Sequence, residues 1–221
     1  MAYNVAIDGP AGAGKSTIAK IVAKEKSFIY VDTGAMYRAM ALYFIRQGIS
    51  AEDAEKISAA AEGADVTIEY VNGEQQVLLN GENVTPFLRT EEVGNMASAS
   101  SVNPDVRKKL VELQQKLAKT SNVVMDGRDI GTCVLPNADV KVYLTASVEV
   151  RAKRRYDELT AKGEEADLET IKKDIEERDY RDMHREISPL CQAEDAVLVD
   201  SSDLTIEESA KAIIDLMDQQ K

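Results

Sequence analysis

Apolar positions along the chain switch between a helical and a strand period, and the order of the switches reads as an α/β domain built on a parallel sheet. Residues 3–8 hold the run Val5-Ala6-Ile7 and predict a strand, which empties into a glycine-rich turn before a helical pattern over 15–26. Residues 27–31 predict a second strand and 34–47 an amphipathic helix, while Ser50-Ala51-Glu52-Asp53 has the form of a capping box opening another helix. The period then drops to two, with Val66, Ile68 and Tyr70 alternating before Asn72-Gly73 and Val77 and Leu79 before Asn80-Gly81. Asn-Gly supplies the backbone conformations that tight hairpins need, so residues 65–89 predict a small antiparallel meander, placed as an edge flap. Asn103-Pro104 starts a helix reaching about residue 119. Strands at 122–125, 139–144 and 196–199 bring the parallel set to five, with charged helical patterns over 145–159 and 168–185, the latter stopped by Pro189. Thr205 and Glu208 form a capping-box pair for a last helix. The expected fold is a three-layer α/β domain, a central five-stranded parallel sheet flanked by helices, with the meander as an inserted subdomain.

Composition narrows the chemistry. With 221 residues, 44% of them hydrophobic, the chain can bury a core without disulfides. The 39 acidic residues outnumber 27 basic ones, and the net charge of −12 disfavours nucleic acid and anionic membranes as partners. The N-terminus lacks a basic region followed by an apolar stretch, and no window approaches the roughly 18 apolar residues of a spanning helix. A soluble, cytoplasmic monomer is expected. Cys133 and Cys191 lack metal-ligand spacing and read as ordinary buried thiols; with His184 the lone histidine, no His-based triad or zinc site can form within one chain.

Gly9-Pro10-Ala11-Gly12-Ala13-Gly14-Lys15-Ser16 matches G-x-x-x-x-G-K-[ST], after an apolar strand and before a helix, where a phosphate loop must sit. Glycines let backbone N–H groups wrap the phosphates, and the helix N-terminus favours negative charge. Lys15 is expected on the β and γ phosphates of a nucleoside triphosphate, Ser16 on Mg²⁺ and Thr17 near the α phosphate. The loop alone does not name the reaction, since GTPases, motor ATPases, sulfotransferases and small-molecule kinases share it. No Asn-Lys-x-Asp guanine-reading motif ends a strand, and no strand ends in paired Asp-Glu.

The acceptor side lies in three constellations. Val123-Val124-Met125-Asp126-Gly127-Arg128-Asp129 is a buried-type strand emptying into a turn with two carboxylates and a guanidinium, where Asp126 can hold water on Mg²⁺ and Arg128 can fork onto a phosphate. Arg178, Arg181, Asp182 and Arg185 follow the spacing i, i+3, i+4, i+7 of one helix face, and Arg151, Arg154 and Arg155 form a second cationic group. Asp32-Thr33-Gly34-Ala35-Met36-Tyr37-Arg38 puts a hydroxyl, a phenol and a guanidinium after the second strand.

These segments, together with Asp126-Gly-Arg-Asp-Ile-Gly-Thr132 and Glu177-Arg-Asp-Tyr-Arg-Asp182, resemble the bacterial cytidylate kinase family over essentially the whole chain. The resemblance implies a phosphotransferase that moves the γ-phosphoryl group of ATP, with Mg²⁺, to CMP and dCMP. It implies that residues 9–17 bind ATP, that Ser98, Arg107 and Asp129 read cytosine, and that Arg38, Arg128 and Arg185 hold the CMP phosphate. Arg178 and Asp182 would meet the sugar and Tyr37 the sugar or phosphate, while Thr33 replaces the family's usual Ser. Lys15, Arg128, Arg185 and Arg154 would carry catalysis. The implied organisation is a core of residues 1–33, 105–150 and 190–221, a monophosphate-binding region 34–104 with the β insertion, and a lid at about 151–185. Two rivals stand beside it: a kinase on the same fold acting on AMP, UMP, GMP or shikimate, and a regulatory module that hydrolyses ATP without an acceptor.

Overall fold

The computed structural model describes residues 2–219. Five apolar segments become parallel strands: β1 (Asn4–Asp8), β2 (Ile29–Asp32), β6 (Val123–Gly127), β7 (Val140–Thr145) and β8 (Val197–Asp200), in the order β2-β6-β1-β7-β8. β1 is central, and its register pairs Asp8 with Gly127 of β6 and with Tyr143 of β7, so the ends of three strands carry their side chains to one edge. The helices are α1 (Lys15–Lys26), α2 (Thr33–Arg46), α3 (Ala54–Ala61), α4 (Glu91–Ser100), α5 (Pro104–Thr120), α6 (Val148–Ala161), α7 (Leu168–His184) and α8 (Ile206–Gln219). A second sheet, β3 (Val66–Val71), β4 (Glu74–Leu79) and β5 (Glu82–Asn83), is antiparallel.

The chain divides into two compact units. The first comprises the described residues up to Tyr30 and from Ser121 onward, the second Val31–Thr120. In the first, Val5 and Ile7 of β1, Val124 of β6 and Val142 and Leu144 of β7 form a core with Ile18 and Val22 of α1 and Ile213 and Met217 of α8. Apolar strands buried on both faces belong to a parallel sheet under helices. The capping box on α8 forms as read: Thr205 N–H donates to Glu208 Oε2 at 2.8 Å, and Glu208 N–H donates to Thr205 Oγ1 at 3.1 Å.

In the second unit Met36, Met40 and Phe44 of α2, Met96 of α4 and Leu110 of α5 are buried. The meander forms at the predicted place, with Asn72 and Asn80 at φ 53° and 50° and Gly73 and Gly81 at 80° and 83°, the paired positive φ values of a type I′ turn. It packs on α2, and the Gln75 side chain accepts from the Asp32 N–H at 2.9 Å and donates to the Asp32 carbonyl at 3.2 Å.

Other expectations are corrected. The cap of α3 is Asp53, which accepts from Lys56 N–H at 3.0 Å, while Ser50 only turns back to Glu52 N–H. Both cysteines are exposed, Cys133 because it lies on the outer side of a π-helical turn over Ile130–Val134. Helix α4 carries no signal in the apolar pattern, and α5 belongs to the second compact unit. Among the described residues no helix is long and apolar enough to cross a membrane.

Candidate active site

The first unit builds its site where β1 gives way to α1. Gly9 has φ 151°, and a Cβ there would stand 1.9 Å from the Leu144 carbonyl oxygen, so any side chain would force the loop off β7. The loop closes on Gly14, and no side chain caps the first turn of α1, which leaves its amides for an anion. Lys15 is buried, and its Nζ donates to the Pro10 carbonyl at 2.7 Å. Burial, helped by the Arg128 guanidinium, pushes its ammonium down to about 7, against the pull of Asp126 and Asp8. Burial thus outweighs the neighbouring carboxylates, and triphosphate oxygens would favour the charged ammonium.

Ser16 Oγ donates to Asp126 Oδ2 at 2.9 Å, and Tyr30 Oη donates to Asp126 Oδ1 at 2.9 Å. A hydroxyl beside a buried carboxylate is a donor set of hard oxygens that suits Mg²⁺, a cation that keeps most of its waters and shares phosphate ligands. No group of three or more His, Cys, Asp or Glu among the described residues could hold a metal by itself. Thr17 is exposed on the first turn of α1.

Next to the loop, the turn after β6 meets the end of α7. Arg128 Nε donates to Asp182 Oδ2 at 2.8 Å; Arg185 Nη2 lies 3.5 Å from Asp129 Oδ1, and its Nε donates to the Ser188 carbonyl at 2.7 Å. Four charges of alternating sign thus converge with Arg185 and Asp129 almost fully buried, at 8% and 7% side-chain exposure. The single-face reading of residues 178–185 needs correction. Helix α7 ends at His184, Arg185 is extended at ψ 142°, and Arg181 is exposed on the outer side; of the four residues read on that face only Arg178, half-buried, and Asp182 turn inward from the helix.

The cationic group on α6 separates into three fates. Arg151, 4% exposed, donates through Nε to the Ala146 carbonyl at 2.9 Å, through Nη1 to the Ala11 carbonyl of the phosphate loop at 2.9 Å, and pairs with Asp179 of α7 at 2.7 Å. Arg154 donates to the Ser201 carbonyl at 2.7 Å. Arg155 pairs with Glu158 on the surface.

In the second unit Asp32 caps α2 through the Ala35 N–H at 2.9 Å, and the buried Thr33 opens that helix. The absent side chain of Gly34 leaves room for Arg38, whose Nη1 would lie 3.2 Å from a Cβ. Buried Arg107 donates from Nη1 to Tyr37 Oη at 3.3 Å, and Ser98 sits half-buried on α4. The structure therefore gathers Thr33, Tyr37, Arg38 and Arg107 around the start of α2 and the α5 helix of one unit. Three residues escaped the sequence reading: Tyr30, Asp179 and Asp8. Asp8 left a trace, an acid closing an apolar strand, whereas the partner of Arg151 lies 28 residues downstream with no local signature.

Comparison with known proteins agrees with this geometry. The family model described as cytidylate kinase matches residues 5–219. The cytidylate kinase of Caldicellulosiruptor saccharolyticus is 51% identical over 213 residues, 96% of this chain and 94% of the relative, and that of Ligilactobacillus salivarius is 51% identical over 217 residues, 97% and 96%. Among solved structures, shikimate kinase from Bacteroides thetaiotaomicron superposes with a TM-score of 0.50 at 13% identity, covering 98% of each chain, a likeness of fold alone. A phosphate loop joined to a buried arginine–carboxylate cluster, with near-complete coverage by these relatives, leads to one conclusion: the chain belongs to the cytidylate kinase family.

Proposed function

We propose that the protein transfers the γ-phosphoryl group of ATP to CMP and dCMP, releasing ADP and the corresponding diphosphate, as a cytoplasmic monomer. The observation that carries this reading is the cluster of Arg128, Asp129, Asp182 and Arg185 beside the phosphate loop, because a hydrolytic switch has no use for a second buried anion site. Phosphoryl transfer asks for in-line positioning and charge neutralisation more than for a covalent nucleophile. Lys15 and the loop amides hold the donor phosphates. Arg128 and Arg185 exchange their present carboxylate partners for the acceptor phosphate, and Asp129 accepts from the exocyclic amine of cytosine, where uracil presents an oxygen. Arg178 and Asp182 serve the sugar, and the family resemblance adds Thr33, Tyr37, Arg38, Ser98 and Arg107 as residues for CMP. Arg154 acts on the transferring group after leaving Ser201. Mg²⁺, when bound through Ser16 and a water on Asp126, supplies charge neutralisation on the donor phosphates.

Coupled ADP production with CMP, dCMP, UMP, AMP and GMP offered separately tests the assignment. Fast turnover with CMP and dCMP, lost in Asp129→Ala, is the expected result; ATP hydrolysis indifferent to acceptor rejects it. A second expectation concerns protons. Since the Lys15 ammonium titrates near 7 without ligand and phosphate charge raises it, ATP binding at pH 8 takes up about one proton, and the uptake fades below pH 6. Calorimetry in two buffers of different ionisation enthalpy measures its sign and size.

A further inference from the structure

We propose that Asp8 is a positioning residue for acceptor recognition: its carboxylate clamps the turn that presents Arg128 and Asp129. The idea rests on the reading of that turn as an acceptor site. Asp8 is the last residue of β1, directly before Gly9 of the phosphate loop, and is 5% exposed. Its Oδ1 accepts from the Ile130 N–H and its Oδ2 from the Gly131 N–H, both at 2.7 Å. These are the first two amides after Asp129. One carboxylate thereby fixes the residues following the base-reading acid to the strand that carries the ATP loop, with both oxygens engaged.

Gly131 has the matching shape. A Cβ on it would sit 3.4 Å from Asp8 Oδ2 and 3.2 Å from Lys141 Cδ, so a methyl group there crowds the clamp and the Lys141 stem, one of which must give by a few tenths of an ångström. Burial works against the charge on Asp8. Burial raises its carboxyl to about 6, with Asp129 adding to the rise, while the two amides and Lys15 oppose it. A folded value above the unfolded one means that this group favours folding at low pH, and that the benefit is lost as pH rises through about 6. At neutral pH the carboxylate is kept ionised against that preference, as expected where geometry at a site outweighs stability. The facing titratable groups are Asp129, Lys15, Lys141 and Tyr143.

The test compares wild type, Asp8→Asn, Gly131→Ala and Asp129→Ala, measuring kcat/KM for CMP and UMP, KM for ATP, and Tm. Asn keeps the volume but turns an amide toward one of the two N–H donors. Both clamp variants are expected to lose on the order of 10²-fold in kcat/KM for CMP, as misplacement by about 1 Å does, and at least about tenfold in the CMP-to-UMP ratio. KM for ATP stays within about twofold and the fold is retained. An equal loss for both acceptors accompanied by a fall in Tm would make Asp8 merely structural and overturn the proposal, and Gly131→Ala decides the matter if Asp8→Asn does not fold. If Asp129→Ala keeps the CMP-to-UMP ratio, the acceptor reading of the turn fails; if Asp129→Ala abolishes it while the clamp variants retain it, the Asp8 proposal alone fails.

Discussion

Replacing Arg151 by methionine is expected to lower the melting temperature by on the order of 10 °C. Arg151 and Asp179 expose 4% and 11% of their side chains and meet at 2.7 Å. Breaking a buried ion pair by deleting one member costs about 3–5 kcal/mol, because the other charge stays behind without compensation, and about 2–4 °C accompanies each kcal/mol in a chain of this size. Asp179 is poorly placed to recover, since its Oδ1 already has no hydrogen-bond partner among the described residues. The carbonyls of Ala146 and Ala11 lose their donor as well. The double variant Arg151→Met/Asp179→Leu is expected to regain more than half of the loss, because an apolar pair of similar volume avoids the desolvation of both ions. Differential scanning calorimetry of the two variants decides it. A single variant melting within about 2 °C of wild type would mean that Asp179 is solvated or finds another cation. Because the Ala11 carbonyl belongs to the phosphate loop, the KM for ATP should rise in both variants, which separates the loop tether from the ion pair itself.

That pair also shows where sequence legibility ends. The strand before Gly9, the α1 helix and the two Asn-Gly hairpins are local patterns, in which neighbours along the chain are neighbours in the fold, and they formed where the residues placed them. Arg151, Arg154 and Arg155 have the same local appearance. What distinguishes them is contact with Asp179, Ser201 and Glu158, and two of these partners lie 28 and 47 residues away. A helix period puts Arg155 one turn beyond Arg151 yet does not say which of them faces inward. Helix α4 was silent for a different reason: Gly94, Asn95 and three serines between 98 and 101 weaken its propensity, and the Thr90 cap and tertiary burial of Val93 and Met96 sustain it instead. The capping-box pattern points to Ser50 as the cap of α3. In the fold Asp53 caps instead, its carboxylate accepting from Lys56 N–H, while Ser50 Oγ accepts only from Glu52 N–H. On the site side, the phosphate-loop motif points to Lys15 and Ser16 and the strand-turn pattern to Asp126 and Arg128, while Asp8, recognisable only as an acid ending an apolar strand, needs the Ile130 and Gly131 amides to acquire meaning.

Lys15→Met is expected to reduce kcat by about 10³-fold or more while Tm stays level or rises, so that activity and stability part company at one atom. In the free protein the ammonium is buried, and its partner is the Pro10 carbonyl at 2.7 Å. Burial and Arg128 depress it to about 7, below the ordinary value of 10.5. The unfolded chain therefore binds the proton more tightly between about 7 and 10.5. The stability this group contributes is complete only above that window, falls as pH drops through it, and is largely gone at neutral pH. Methionine, of nearly equal length, removes the charged group, and the orphaned Pro10 carbonyl sets back about 1–3 kcal/mol of the gain. The transition state sees the opposite balance. Charge spreading over the transferring phosphoryl oxygens meets a preorganised cation in a site shielded from water, where electrostatic stabilisation is far larger than in solution. Arginine does not substitute, because its fork is too wide for a position only 6% exposed. Steady-state rates and melting curves from one preparation separate the two effects. A variant that loses turnover and Tm together would make Lys15 part of the scaffold, and one that keeps a tenth of the rate would move the catalytic charge to the arginines. The same variant also abolishes the proton uptake on ATP binding at pH 8, a sign that comes from no other group if the titrating site is the lysine of the phosphate loop.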